Sequence, residues 1–134
     1  MNIKNKVTVI AEVGPNHNGN IKLAKKLILE SKKIGADYVK FQISNPDEHI
    51  SSLAKLAPYQ KNKKFTNQLE MVKSFVLSQS TYIRLNNYAK KYKIKFLLSP
   101  FDISSIDFIV KELKLNLIKI PSGEINNFIF LRHL

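Results

Sequence analysis

Gly35-Ala-Asp-Tyr-Val-Lys-Phe-Gln42 decides the fold. Gly35 can end a helix in the left-handed conformation that other residues avoid, and Asp37 to Gln42 then reads as a strand apolar on both sides. A helix ending one or two residues before such a strand is the joint of a parallel α/β unit. Upstream, Asn20 can cap a helix whose apolar stripe is Ile21, Ala24, Leu27, Ile28 and Ile34. Ahead of that helix, the β-branched run Val7 to Ala11 reads as a first buried strand.

Downstream the rhythm repeats after an interruption. Ile43 to Lys64 carries Pro46, Pro58 and several Ser and Lys without a sustained period, so it reads as a loop. Leu69, Val72 and Val76 mark a short helix, and Leu85, Tyr88, Ala89 and Tyr92 mark another that starts near Ser80. Lys95 to Leu98 is a third strand. Asp102 caps a helix with Ile106, Ile109, Val110 and Leu113 on one face, Leu117 to Ile120 is a fourth strand, and Asn126 to Leu134 opens a further helix. About four β-α units in series call for a parallel sheet under helical cover, either doubly wound or half of a (β/α)8 barrel. The 134 residues suffice for one core but fall short of the roughly 250 of a complete barrel. No linker divides the chain into two domains.

Composition narrows the function classes. The apolar run after Met1 to Lys6 is broken by Glu12, which argues against a signal peptide, and no stretch of about 18 apolar residues suggests a membrane span. The absence of cysteine excludes disulfides, thiolate metal sites and a cysteine nucleophile, and the expected location is cytoplasmic. A formal charge of +12 attracts anions of any kind, but it comes from lysines scattered over helix-like segments. The aromatics lie at core-like positions and no helix concentrates Arg, so nucleic acid is not the expected partner.

Polar residues gather where each strand ends. Glu12, Asn16 and His17 follow the first, Lys40 and Gln42 close the second, Ser99 and Asp102 follow the third, and Lys119, Ser122 and Glu124 surround the fourth. Ligands of parallel α/β folds bind at these ends, because the loops carry polar groups while the strand bodies hold them rigid. Lys40 and Lys119 each interrupt an apolar strand, and a charge there is costly unless paired. They can be edge residues snorkelling or pairing with Glu12 or Glu124, or they can face the mouth and hold phosphate or carboxylate. Glu12 and Glu124 can act as general acid or base, bind hydroxyls or neutralise the lysines. His17, His49 and His133 lack the spacing of a metal set, and the glycines of Gly14-Pro-Asn-His-Asn-Gly19 form no phosphate-cradling motif. No metal ligand and no nucleotide cofactor is assigned.

Four ordered segments, Ile10-Ala-Glu-Val-Gly-Pro-Asn-His-Asn-Gly19, Gly35 to Gln42, Leu98-Ser-Pro-Phe-Asp102 and Lys119-Ile-Pro-Ser-Gly-Glu124 with Asn126 and Asn127, resemble the N-acetylneuraminate (sialic acid) synthases. Legionaminic, pseudaminic and spore-coat polysaccharide relatives share them, as they share Ala57-Pro-Tyr-Gln60 and Gln68-Leu-Glu-Met71. The resemblance implies that residues 1–134 are the N-terminal part of a TIM barrel domain, with the rest of the barrel and an antifreeze-like domain lying outside them. It implies a metal-assisted condensation of phosphoenolpyruvate with an N-acylated amino sugar in a homodimeric enzyme. By motif, Lys40, Lys119, Ser122 and Ser99 resemble the phosphoenolpyruvate clamp, and Glu12, Gln42 and Glu124 the sugar-side and acid-base group. The family's divalent Mn or Mg is held by histidines of later strands, and an arginine of the antifreeze-like domain reaches the sugar. A non-catalytic truncated fragment, or another phosphoenolpyruvate-using barrel synthase or aldolase of 3-deoxy sugar acids, is the competing reading.

Overall fold

The computed structural model describes residues 7–60 and 64–134. Residues 1–6 and 61–63, part of the basic start and of the loop read above, lie outside the described residues. Three parallel strands run in the order β1 (Ile10–Gly14), β2 (Tyr38–Ile43), β3 (Lys95–Pro100). Helix α1 (Ile21–Lys33) joins the first pair; α2 (Pro46–His49), α3 (Gln68–Lys73) and α4 (Gln79–Lys91) lie between the second; α5 (Ile103–Asp107) and α6 (Phe128–His133) follow. The arrangement is α/β, that of the N-terminal portion of a (β/α)8 barrel.

Local signals set most boundaries. The Asn20 side chain accepts from the N–H groups of Lys22 and Leu23, Ser78 caps α4 at Thr81, and Asp102 caps α5 at Ser105. Gly35, at φ +81, ends α1 as expected of a residue without a Cβ. One sheet face carries Val39, Phe41, Ile43, Phe96 and Leu98 against α1 (Ala24, Ile28) and α4 (Tyr82, Leu85, Ala89) in a single apolar cluster. Each Val, Ile, Leu or Phe among them contributes about 1.5–3 kcal/mol on burial. Because strand residues alternate, the opposite face receives Glu12, Lys40, Gln42, Leu97 and Ser99.

The structure departs from the sequence reading in four places. β1 begins at Ile10 rather than Val7; Val7 and Val9 are exposed, and the Val9 carbonyl instead accepts from the N–H groups of Asp37 and Tyr38. The stretch read as a plain loop holds α2 and a 3-10 turn at Pro58–Gln60. The Ile106–Leu113 helix continues from α5 as a π-helical turn, Phe108–Glu112. Leu117 to Ile120 forms no strand: a single parallel bridge joins Ile118 to Leu98, and the Lys119 N–H donates to the Leu98 carbonyl. Among the described residues this segment has a neighbour on one side only, and Pro121, lacking an N–H, cannot extend the ladder.

Candidate functional site

β2 brings Lys40 to the face away from the helices, where its side chain is 5% exposed. A buried ammonium is stable only if paired. The Lys40 Nζ lies 2.5 Å from Glu12 Oε2 of β1 and donates to Ser99 Oγ of β3 at 3.2 Å. Glu12 is the register partner of Lys40, and Gln42 that of Ser99, so all four groups share one face. Glu12 is 56% exposed, so the pair reaches water through its carboxylate while the cation stays enclosed.

Gly14 sits at φ +51 where β1 bulges out of register, and a Cβ there would come 3.1 Å from Glu12 Oε1 and 3.7 Å from Gln42 Nε2. Its missing side chain leaves room for both groups. Tyr82, buried on α4, donates its hydroxyl to the Gln42 carbonyl at 2.6 Å and so holds the end of β2; burial drives its pKa upward. Sequence reading assigned Tyr82 no role, since nothing local distinguishes it from a core aromatic.

The remaining site candidates stand apart from this trio. Extending the Leu98–Ile118 bridge by one residue sets Lys119 beside Ser99, but its side chain is exposed and makes no ion pair or hydrogen bond among the described residues. The two lysines are therefore not equivalent: one is enclosed and paired, the other free. Ser122 is exposed on the 3-10 turn Ser122–Glu124, and Glu124 Oε2 accepts from the Asn127 amide at 2.7 Å. Glu124 lines a cavity of about 480 Å³ with Glu48, His49, Asp102 and Asn127. The structure thus brings Glu12, Lys40 and Ser99 into contact, aligns Gln42 with them, and leaves Lys119, Ser122 and Glu124 on the neighbouring segment.

Asp102 is more than a helix cap. One carboxylate oxygen accepts from Ser105 N–H (2.7 Å) and Ser104 Oγ (2.9 Å), and the other from Asn45 N–H (2.7 Å) at the start of α2. His17 is buried, its Nδ1 accepts from Gly19 N–H at 3.1 Å, and burial lowers its pKa, so it is neutral with the proton on Nε2. A cavity of about 450 Å³ opens beside it, lined also by Gln42, Tyr59, Gln60, Met71 and Phe101.

The donors present do not suit a metal. Among the described residues no three His, Asp or Glu side chains gather, Glu12 is held by Lys40, and the Nδ1 atoms of His17 and His49 are held by Gly19 N–H and the Asn45 carbonyl.

Three sequential parallel strands, with helices packed on one face and polar side chains on the other, have the arrangement of a barrel-type α/β protein. The NeuB family model matches residues 27–134, and the chain belongs to that family. The chain is 45% identical over 131 residues to the N,N'-diacetyllegionaminic acid synthase of Campylobacter jejuni and 42% over 127 residues to that of Legionella pneumophila. These alignments cover 96% and 93% of the chain but only 39% and 35% of those synthases, so it spans well under half of their length. The N-acetylneuraminic acid (sialic acid) synthetase of Leptospira borgpetersenii, solved in complex with citrate, superposes with a TM-score of 0.81 at 29% identity, over 96% of this chain and 41% of that one. No helix among the described residues is long and apolar enough to cross a membrane.

Proposed function

We propose that the chain supplies the phosphoenolpyruvate-binding side of a synthase that condenses phosphoenolpyruvate with an N-acylated amino sugar, giving a nonulosonic acid and phosphate for surface carbohydrate synthesis. The observation that carries this reading is the enclosed Lys40 ammonium, joined to Glu12 and Ser99 across three adjacent strands. A cation held rigidly on the polar face of the sheet is suited to a highly anionic substrate, because it needs no reorganisation to meet the charge.

In this reading the methylene carbon of phosphoenolpyruvate forms a bond to the sugar's aldehyde carbon, whose oxygen takes a proton. Water adds to the former enol carbon, and phosphate departs with C–O cleavage. Lys40 and Ser99 bind the anion, and the free Lys119 ammonium and the Ser122 hydroxyl close on it from the next segment. Gln42 and Glu124 face the sugar, with Glu12 or Glu124 moving the proton at the aldehyde oxygen. The divalent metal that the resemblance implies would be bound by other parts of the enzyme, since the residues described here do not fit one. A cytoplasmic homodimer belongs to the same proposal. The similarity to two diacetyllegionaminic acid synthases favours a doubly N-acylated sugar over N-acetylmannosamine.

The test is phosphate release by the protein that contains this chain, given phosphoenolpyruvate and either sugar. Sugar-dependent release that Lys40→Met abolishes supports the reading. Release that ignores the sugar, or survives Lys40→Met unchanged, overturns it.

A further inference from the structure

A second polar cavity, of about 520 Å³, lies at the opposite end of the sheet, where β2 and β3 begin. Lys90, Lys93, Lys95, Asn86, Asn116 and Tyr38 line it, and no carboxylate does. Asn86 on α4 is only 4% exposed, yet its amide has no hydrogen-bond partner among the described residues. Among the described residues no fully enclosed side-chain nitrogen or oxygen lacks a partner, so the Asn86 amide keeps its remaining surface in the cavity it lines. A buried, unpartnered amide costs stability unless a ligand or water satisfies it.

Two of the lysines around that amide have local constraints, Lys95 on its side chain and Lys93 on its backbone. The Lys95 ammonium sits 5.1 Å from the centre of the Tyr38 ring. Lys93 adopts φ 55 just beyond the end of α4, where glycine would be less strained, and its carbonyl accepts from Lys32 Nζ at 2.9 Å. Lysines also offset the negative end of a helix, which accounts for Lys90 and Lys91 in the last turn of α4 but not for Asn86.

We propose that this cavity binds a small phosphate-bearing anion, with the Asn86 amide and the Lys90, Lys93 and Lys95 ammonium groups as donors. Its volume leaves space beyond one phosphate, and Phe96, Leu115 and Leu117 supply apolar wall for an attached organic group. The site is separate from the Lys40 mouth and does not depend on the condensation proposed there.

The experiment titrates the purified protein with inorganic phosphate, glycerol 3-phosphate and a nucleoside monophosphate, following amide NMR shifts at moderate salt. Saturable shifts centred on residues 86–95 are expected, and the tightest of the three probes identifies whether the phosphate is free or carried on an organic group. Asn86→Asp, nearly isosteric, should weaken binding about tenfold or more, the scale of a lost charge-assisted hydrogen bond. Lys93→Gly should do the same while raising the melting temperature, because glycine relieves the left-handed backbone; loss of binding therefore cannot be mistaken for loss of fold. Lys22→Ala/Lys26→Ala on α1 should leave affinity unchanged. No saturable binding, equal loss in the α1 control, or tighter binding of a short oligonucleotide than of every small probe would overturn the proposal.

Discussion

The Lys40 ammonium lies 3.2 Å from the Ser99 hydroxyl, a residue fifty-nine positions further along the chain. The contact exists because β2 and β3 pair in parallel with Gln42 opposite Ser99, which puts residue 40 two places earlier on the same face. Lys40→Met removes a buried charge but keeps an unbranched stem of similar length. The protein should stay folded, since the carboxylate left without its partner, Glu12, is half-exposed and can be solvated. Steady-state kinetics of the protein containing this chain should show kcat/KM for phosphoenolpyruvate reduced about 100-fold or more, near 3 kcal/mol, as for a lost contact to a charged substrate. An unchanged value would remove Lys40 from the site.

Ser99→Ala deletes only the hydroxyl that faces Lys40. A fivefold to tenfold rise in KM for phosphoenolpyruvate is expected, about 1 kcal/mol for one hydroxyl contact. Ser99→Thr, which keeps the hydroxyl, should restore most of the affinity. Equal kinetics for the alanine and wild-type proteins would show that the hydroxyl serves Lys40 alone and not the substrate.

Glu12→Gln leaves Lys40 enclosed beside a neutral amide. Breaking one side of an ion pair costs more than removing both, but the half-exposed Glu12 lets water compensate in part. Thermal unfolding should register a loss of about 1–2 kcal/mol. The double variant Glu12→Gln/Lys40→Met should recover most of it. Independent, additive losses would show that the pair is not energetically coupled.

Asp102→Ala strips the acceptor from two backbone N–H groups, Ser105 on α5 and Asn45 ahead of α2. A cap alone is worth about 1 kcal/mol, and the second bond, to Asn45 fifty-seven positions away, should bring the loss to about 2–3 kcal/mol in chemical denaturation. Asp102→Asn should fall between, because one amide oxygen can replace only one carboxylate oxygen.

His17 makes stability depend on pH in a predictable direction. Burial lowers its pKa in the folded state, so above the ordinary histidine value near 6.5 both folded and unfolded forms are neutral there. Below that value the unfolded chain takes up a proton that the folded chain refuses, and stability falls as pH falls. The melting temperature of wild type should therefore drop faster between pH 7 and 5 than that of His17→Asn. Parallel curves for the two proteins would mean that His17 titrates alike in both states.

The local half of this structure was legible in the residues. Asn20, Ser78 and Asp102 cap helices because their short side chains reach back to N–H groups two or three places on, and Gly35 ends α1 because it tolerates positive φ. The alternation of apolar periods announced β2 and β3 for the same reason: it is written within a few residues. What involves a partner strand was not. Val7 reads as strand yet lies outside β1, Leu117–Ile120 reads as strand yet makes one bridge, and Lys40 and Lys119 look alike until one is enclosed by Glu12 and Ser99 and the other is not. Strand existence, register and the fate of a buried charge depend on hydrogen bonds and ion pairs to residues far along the chain. Only the tertiary structure brings those partners within reach.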